Sequence, residues 1–220
     1  MKNLHALVIG ATGATGQALV DQLLDNPSFG KVSIFVRNKP SLVRKKLVVH
    51  TIDFSTLRNY NDLVSGDVLF SALGTTRKDA GSKANQYLVD YTYQYEFAKM
   101  AAQNDVSQYA LVSSAGANKH SFFFYPKIKG KLEAAITALN FKTIHIYQPP
   151  LLIRPKSPVR AGEKIVSTVL HKFNAIGMLK SQKPLLVSVL AKKMITELFK
   201  QKTNRVNRYT PQEISIGLDS

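Results

Sequence analysis

The sequence contains no cysteine among its 220 residues. This absence excludes disulfide bonds, thiolate metal ligands and thiol catalysis, and it leads us to expect a cytoplasmic protein. No apolar run approaches the ~18 residues that a membrane-spanning helix requires. The N-terminus shows no basic segment followed by a long apolar one, so we expect neither a secretory signal nor a membrane partner.

Acidic residues are scarce: 14 Asp and Glu stand against 30 Lys and Arg, which gives a net charge of +16. The excess is concentrated in residues 119–220, which hold 18 of the basic residues and 5 of the acidic ones. A basic surface attracts phosphorylated cofactors, nucleic acids or acidic proteins without choosing among them. Because no helix-turn-helix or RNA-binding signature is present, we expect no specific nucleic-acid partner, and a solubilising surface explains the charge equally well.

Alternation of strand and helix patterns indicates the fold class. Six apolar strand patterns, each followed by a helical or turn pattern, predict an α/β fold with a doubly wound parallel sheet and helices on both faces. The strands are expected near residues 4–9, 31–36, 46–52, 67–73, 108–114 and 142–147. The chain length suits a single domain over residues 1–220, in which residues 151–220 form a small cap on the substrate side.

Helical patterns complete this prediction. A long helix is expected over residues 85–103, and the expected cap contains helices near residues 163–174 and 191–201 followed by an irregular tail.

Three glycines at three-residue spacing, Gly10, Gly13 and Gly16, follow the first strand in the stretch LHALVIGATGATG. Gly10 permits a tight turn, Gly13 lets the backbone approach a pyrophosphate, and Gly16 lets the next helix pack close to the strand. The N–H groups at the start of that helix attract an anion. The stretch therefore predicts a dinucleotide-binding turn, although its spacing differs from the commoner GxGxxG.

Two residues after the second and third strands bear on which dinucleotide binds. Arg37 stands where NAD-binding folds place an acidic residue on the ribose 2′-hydroxyl. Because a guanidinium matches a 2′-phosphate in charge and geometry, Arg37 favours NADP(H) over NAD(H). A solvated charge at a strand end is the alternative. Asp53 has two interpretations, a contact with the adenine amino group or a cap on the following turn.

Tyr125 and Lys129 stand four residues apart, so on a helix both side chains face the same direction. A lysine ammonium stabilises the phenolate and lowers the tyrosine pKa, which lets the pair exchange a proton with a carbonyl or alcohol oxygen. Ser113 and Ser114 end the fifth strand, and either hydroxyl is a candidate to hydrogen-bond the same oxygen. An aromatic side chain packed beside a solvated lysine is the structural alternative.

The same tyrosine-lysine spacing recurs at Tyr95 and Lys99, inside the long helix. No strand-end serine precedes that pair closely, so we interpret it as structural. The five histidines show no metal-ligand spacing, and no metal site is expected.

Several motifs together resemble a known family. GATGATG, ALGTTRKDAGS, LVSSAGANKHS, FYPKIKGKLEA and YQPPLLIRP are similar to motifs of atypical short-chain dehydrogenases/reductases of the Tat-interacting protein type, which are related to NmrA-like proteins. The resemblance runs from about residue 3 to residue 165 and implies a Rossmann fold that binds NADPH. It assigns Thr12, Gly13, Ala14 and Thr15 to the pyrophosphate, Arg37 and Asn38 to the 2′-phosphate, Leu73 and Gly74 to the adenosine side, and Tyr125, Lys129, Leu152 and Arg160 to the nicotinamide end.

Two functions follow from these observations. The first is NADPH-dependent reduction of a small carbonyl compound, with Tyr125 as the acid, Lys129 as the modulator of its pKa and a serine as the orienting group. The second is an NADPH-sensing regulator or scaffold that acts on a partner protein with little or no catalysis. The short cap and Gln148-Pro149-Pro150, where the family commonly has Arg-Pro-Gly, favour the second function.

Overall fold

A seven-stranded parallel sheet lies at the centre of the computed structural model, which describes residues 3–41, 43–153 and 184–216. Its strands are β1 (Leu4–Ile9), β2 (Phe29–Val36), β3 (Leu47–Thr51), β4 (Val68–Ser71), β5 (Gln108–Val112), β6 (Thr143–Tyr147) and β9 (Val206–Tyr209). The strand order is β3-β2-β1-β4-β5-β6-β9. This order reverses between β1 and β4, as in a Rossmann fold, so the predicted doubly wound sheet is confirmed.

Helices connect the strands and cover both faces of the sheet. They are α1 (Ala14–Asp25), α2 (Arg77–Ala80), α3 (Lys83–Tyr87), α4 (Tyr93–Gln103), α5 (Phe124–Thr137), α6 (Val187–Leu198) and α7 (Pro211–Ser215). A 3₁₀-helical segment (Phe54–Leu63) follows β3, and a π-helical turn (Leu88–Thr92) joins α3 to α4. In the part of the chain that the structure describes, no helix has the length and apolarity to cross a membrane.

The central strands are apolar on both faces because helices cover each face. In β1, Ala6 and Val8 point to one side and pack in a core with α1 and α6. Leu7 and Ile9 point to the other side and pack in a second core with α4 and α5. Because all seven strands are parallel, their carboxyl ends and the loops that follow them lie at one edge of the sheet.

Residues 184–216, which the sequence assigns to a cap, instead extend the sheet and one of its faces. Strand β9 pairs in parallel with β6, and α6 packs against α1 through buried residues such as Leu190 and Met194. A further two-stranded sheet pairs β7 (Leu152–Ile153) with β8 (Leu185–Leu186). The rest of the expected cap, including the helix predicted near residues 163–174, lies outside the described residues.

The long helix predicted over residues 85–103 is interrupted by the π-helical turn. The sequence pattern does not show this interruption because Tyr87, Tyr91 and Tyr95 keep a four-residue spacing. Their rings pack in a row along one side, with centroids 4.9 Å and 5.9 Å apart. The turn places Asp90 in the interior, where it is 0% exposed.

Candidate functional site

The glycine turn after β1 is closed so tightly that two of its glycines leave no room for a side chain. Gly10 has a φ of 80°, and a Cβ atom there would overlap the backbone of Ala72 and Leu73 after β4. A Cβ atom at Gly16 would overlap the carbonyl oxygen of Gly10. These contacts bring the start of α1 close to β1 and join the loops that follow β1 and β4.

The N-terminus of α1 faces open space in the part of the chain that the structure describes. Gly13 is the N-cap residue and supplies no side-chain hydrogen bond to the helix. Its own N–H donates to the Gly10 carbonyl at 3.0 Å. The N–H groups of the first helical residues, Ala14 and Thr15, have no intrahelical partner because they lie in the first turn. Thr12 and Gly13 are exposed. This arrangement of free N–H groups and an exposed backbone fits the pyrophosphate of a dinucleotide.

Arg37 and Asn38 follow β2 at the same edge of the sheet and are exposed. The Arg37 guanidinium forms no ion pair with another described residue, so it is available to an anionic ligand. The carboxylate of Asp53 caps the 3₁₀-helical segment, since Oδ1 accepts hydrogen bonds from the Ser55 N–H at 2.8 Å and the Ser55 hydroxyl at 2.7 Å. These hydrogen bonds lower the pKa of Asp53, and they correspond to the capping interpretation of this residue.

The first turns of α5 bring Tyr125 and Lys129 together. Lys129 is 3% exposed, and its Nζ lies 6.0 Å from the centroid of the Tyr125 ring. The same Nζ donates a long hydrogen bond of 3.5 Å to the Val112 carbonyl oxygen at the end of β5. Burial raises the pKa of Tyr125, and the neighbouring Lys129 charge opposes this rise.

The two serines after β5 point in different directions. The Ser113 hydroxyl donates to Glu133 on α5 at 2.5 Å, and Gln148 donates to both oxygens of the same carboxylate. The Ser114 hydroxyl oxygen is buried without a hydrogen-bond partner among the described residues. It lies near enough to the Tyr125 phenol to lower its pKa. Only Ser114 therefore shares the space beside Tyr125.

Asp90 is a member of this site that sequence reasoning missed. It is fully buried, and its Oδ1 lies 3.6 Å from Lys129 Nζ. A Cβ atom at Gly74 would lie 3.3 Å from the same oxygen, so the loop after β4 passes directly over the carboxylate. Burial raises the pKa of Asp90, and Lys129 is the main opposing influence. A lone acid within the apolar and aromatic run YLVDYTY is the signal that would have found it.

These contacts form a continuous path along the sheet edge. The glycine turn touches Leu73, the adjoining Gly74 covers Asp90, Asp90 pairs with Lys129, and Lys129 lies under Tyr125. The structure therefore connects the glycine turn and the tyrosine-lysine pair through neighbouring residues at one edge of the sheet. Tyr95 and Lys99 are not part of it, because the Tyr95 ring stacks on Tyr91 and Lys99 is exposed on α4.

The remaining predicted site residues lie after β4 and β6. Leu73 is half-buried and packs against the core beneath α4. Leu152 is half-buried in β7 and packs against the core that contains α1 and α6. Arg160 lies outside the described residues. Within the described ranges, no group of three or more potential metal ligands is present.

Comparison with known proteins decides the family. Residues 10–141 match the family described as NAD(P)H-binding, a match that covers more than half of the chain. The chain belongs to this family of atypical short-chain dehydrogenases/reductases. It is 36% identical over 167 residues to protein fmp52, mitochondrial, of Aspergillus fumigatus, covering 72% of this chain and 71% of that protein. It is 33% identical over 168 residues to protein HTATIP2 of Rattus norvegicus, covering 74% of this chain and 69% of that protein.

Two solved structures share the fold of this chain. MoeE5 in complex with UDP-glucuronic acid and NAD aligns with a TM-score of 0.70 at 14% identity, covering 94% of this chain and 75% of MoeE5. The Bordetella bronchiseptica enzyme WbmH in complex with NAD+ aligns with a TM-score of 0.71 at 13% identity, covering 94% of this chain and 75% of WbmH. At these identities the likeness bears on the fold alone, and it supports a Rossmann-type fold for this chain.

The relatives also correct one expectation. The absence of cysteine led to the prediction of a cytoplasmic protein, but relatives in Aspergillus fumigatus and Kluyveromyces lactis are named as mitochondrial. That prediction is contradicted. A chain without cysteine forms no disulfides in any compartment, so the absence of cysteine does not indicate where the protein is located.

Proposed function

We propose that this family member is an NADPH-dependent reductase of small carbonyl compounds. The observation that supports the proposal is the path of contacts from the glycine turn to Tyr125, because a phenol at the same sheet edge as a turn suited to a pyrophosphate could donate a proton to a substrate there. An unsatisfied buried group supports it further, since the Ser114 hydroxyl beside Tyr125 has no hydrogen-bond partner among the described residues. Native proteins seldom leave such groups unpaired unless a ligand or water completes them.

In this proposal each residue of the site has a separate role in the reduction. NADPH, when bound, supplies the hydride that reduces the carbonyl carbon. Tyr125 gives its phenolic proton to the carbonyl oxygen, and Lys129 stabilises the phenolate that remains. Ser114 donates its unpaired hydroxyl proton to the same oxygen and so orients the substrate. Ser113 has no part in this scheme because its hydroxyl is bound to Glu133.

The preference for NADPH over NADH rests on Arg37. Its exposed side chain at the end of β2 is placed to meet a 2′-phosphate, and Asn38 beside it offers further hydrogen bonds. No carboxylate directly follows β2 to accept the 2′-hydroxyl of NADH.

The substitution Tyr125→Phe tests the reductase proposal. It should leave NADPH affinity within about twofold and lower the oxidation of NADPH by a panel of small aldehydes and ketones at least ~100-fold, the range typical of a lost general acid. Tyr95→Phe is the matched control, because Tyr95 has the same spacing to a lysine but lies on the stacked side of α4. Unchanged turnover in Tyr125→Phe would refute the assignment.

An NADPH-sensing regulator remains the second candidate, and one surface favours it. Phe122 is fully exposed and Phe123 is 51% exposed, three and two residues before Tyr125 in the chain. Exposed apolar side chains at the start of the helix that bears Tyr125 are suited to contact with a protein partner. The regulator hypothesis is favoured over the reductase hypothesis by two results together. The wild-type protein binds NADPH, but none of the carbonyl compounds tested is reduced, and Phe122→Ser weakens a partner complex in the presence of NADPH.

A further inference from the structure

We propose that Asp90 is a positioning residue that neutralises the Lys129 ammonium, keeps Tyr125 as a proton donor and so favours carbonyl reduction over alcohol oxidation. The inference rests on the proposed reductase function. It concerns a residue that no sequence motif marks, and its basis is the buried pair of charges between the π-helical turn and α5.

Burial makes the two charges dependent on each other. Asp90 is 0% and Lys129 3% exposed, and their charged atoms lie 3.6 Å apart. At this depth the attraction between unit charges is several times stronger than in water. Neither charge has another described ion-pair partner. The Lys129 charge, which would otherwise stabilise the phenolate and lower the pKa of Tyr125, is therefore largely compensated by the Asp90 carboxylate.

The charges that act on the Tyr125 phenol among the described residues come from two elements. Lys129 on α5 lowers its pKa, and Asp90 on the π-helical turn raises it. The neutral hydroxyl of Ser114, at the end of β5, also lowers it. Lys83 on α3 faces the neighbouring ring of Phe124 instead, with its Nζ 5.6 Å from the centroid. The opposition of Asp90 and Lys129, in addition to burial, thus sets the protonation of the phenol.

The local backbone is shaped to hold Asp90 in this position. A π-helical turn inserts an extra residue into a helix, and such turns are frequent at functional sites. Here the turn directs Asp90 inward, while Tyr87, Tyr91 and Tyr95 continue along the other side. Gly74 lies against the carboxylate, and a side chain at that position would meet Oδ1 at 3.3 Å.

The direction of reaction follows from which proton state of Tyr125 each direction uses. In reduction, the carbonyl carbon receives a hydride from NADPH, which becomes NADP+. The carbonyl oxygen receives the Tyr125 proton, and the phenolate then regains a proton from water. In oxidation the phenolate must first take the proton of the alcohol, while NADP+ accepts the hydride. Keeping the phenol protonated at neutral pH supports the first direction and slows the second.

The test titrates Tyr125 directly in the cofactor-free protein. The nine tyrosines are labelled with ¹³C at Cζ, and the Tyr125 signal is assigned by its loss in Tyr125→Phe. In Asp90→Asn the phenol should titrate at least about one pH unit lower than in the wild type, the shift expected from an uncompensated charge within reach. The kcat of alcohol oxidation at pH 7, measured with saturating alcohol and NADP+, should rise about tenfold. Asp79→Asn removes an equal charge from the exposed helix α2 and should change neither.

Asp90→Asn leaves the Lys129 ammonium buried without a counter-charge and so risks failing to fold. In that case Lys129→Met is compared with the double variant Asp90→Asn/Lys129→Met, in which the phenol should titrate lower because the carboxylate has gone. An unchanged Tyr125 titration in either comparison overturns the inference. If the Tyr125 titration shifts but the wild-type protein reduces none of the carbonyl compounds, the reductase proposal fails. The compensation of Lys129 by Asp90 is then supported, but its effect on the direction of the reaction is not.

Discussion

Substitution of two glycines three residues apart should separate binding of a dinucleotide from stability of the fold. Gly13 has a φ of −75° and a ψ of 170°, which alanine adopts without strain. A Cβ atom there would have one near neighbour, the Gly10 carbonyl oxygen at 3.3 Å, and otherwise points into open space. A Cβ atom at Gly16 would overlap the Gly10 backbone.

The expected magnitudes follow from these contacts. Gly13→Ala loses less entropy on folding, a gain of about 0.4–1 kcal/mol, and the tight contact offsets part of it. The free energy of unfolding should therefore stay within about 1 kcal/mol of the wild type. Gly16→Ala forces the start of α1 away from β1 and should lower it by about 3 kcal/mol, at the upper end of overpacking costs.

In Gly13→Ala, the affinity for NADPH should fall even though the stability of the fold is retained. The added methyl group occupies the space into which the pyrophosphate must come, so the dissociation constant should rise at least about tenfold, equivalent to about 1.4 kcal/mol. Urea denaturation gives the stability and isothermal titration calorimetry gives the affinity. If Gly13→Ala keeps wild-type stability and wild-type affinity, the turn is structural and does not hold the pyrophosphate.

Two further predictions concern other regions of the molecule. Arg37→Ala should weaken NADPH binding about 10- to 100-fold, the range of a charge-assisted hydrogen bond, and leave NADH affinity within about twofold in the same calorimetric assay. His145 is 0% exposed, and burial together with the Lys202 charge lowers its pKa from 6.5 to about 4. Because the unfolded chain takes up this proton first, stability is lost as the pH falls below 6.5, by about 2 kcal/mol between pH 7 and 5. His145→Gln should lose about 2 kcal/mol less over that interval in urea denaturation, whereas the exposed His120→Gln should behave as the wild type.

The sequence predicted those features that depend on near neighbours in the chain. The strands before Gly10 and Arg37 are short apolar runs buried on both faces, and their composition alone marks them. Tyr125 and Lys129 meet because a helix places residues four apart on one side. Local periodicity was sufficient in each of these cases.

Features that depend on distant partners were not predictable in this way. Strand β9 was expected to be part of an irregular tail, because its pairing with β6 joins residues about 60 positions apart. The choice between Ser113 and Ser114 depends on Glu133, which takes the first hydroxyl from across the strand end. The inward position of Asp90 depends on a π-helical turn that leaves the tyrosine spacing unchanged.

Gly130 illustrates the same limit on α5. A glycine inside a helix appears unfavourable from its sequence, but a Cβ atom there would overlap the backbone of Asn118 and Lys119. The glycine therefore lets the loop after β5 pack onto the helix that bears Tyr125. Only the folded structure shows this close approach.

Calorimetric titration of the wild-type protein with NADPH and then with NADH tests the central claim most directly. The glycine turn and Arg37 together predict one bound NADPH per chain, with a dissociation constant at least about tenfold lower than that of NADH. Equal affinities for the two dinucleotides would contradict the role of Arg37, and the absence of binding by either would contradict the site as a whole.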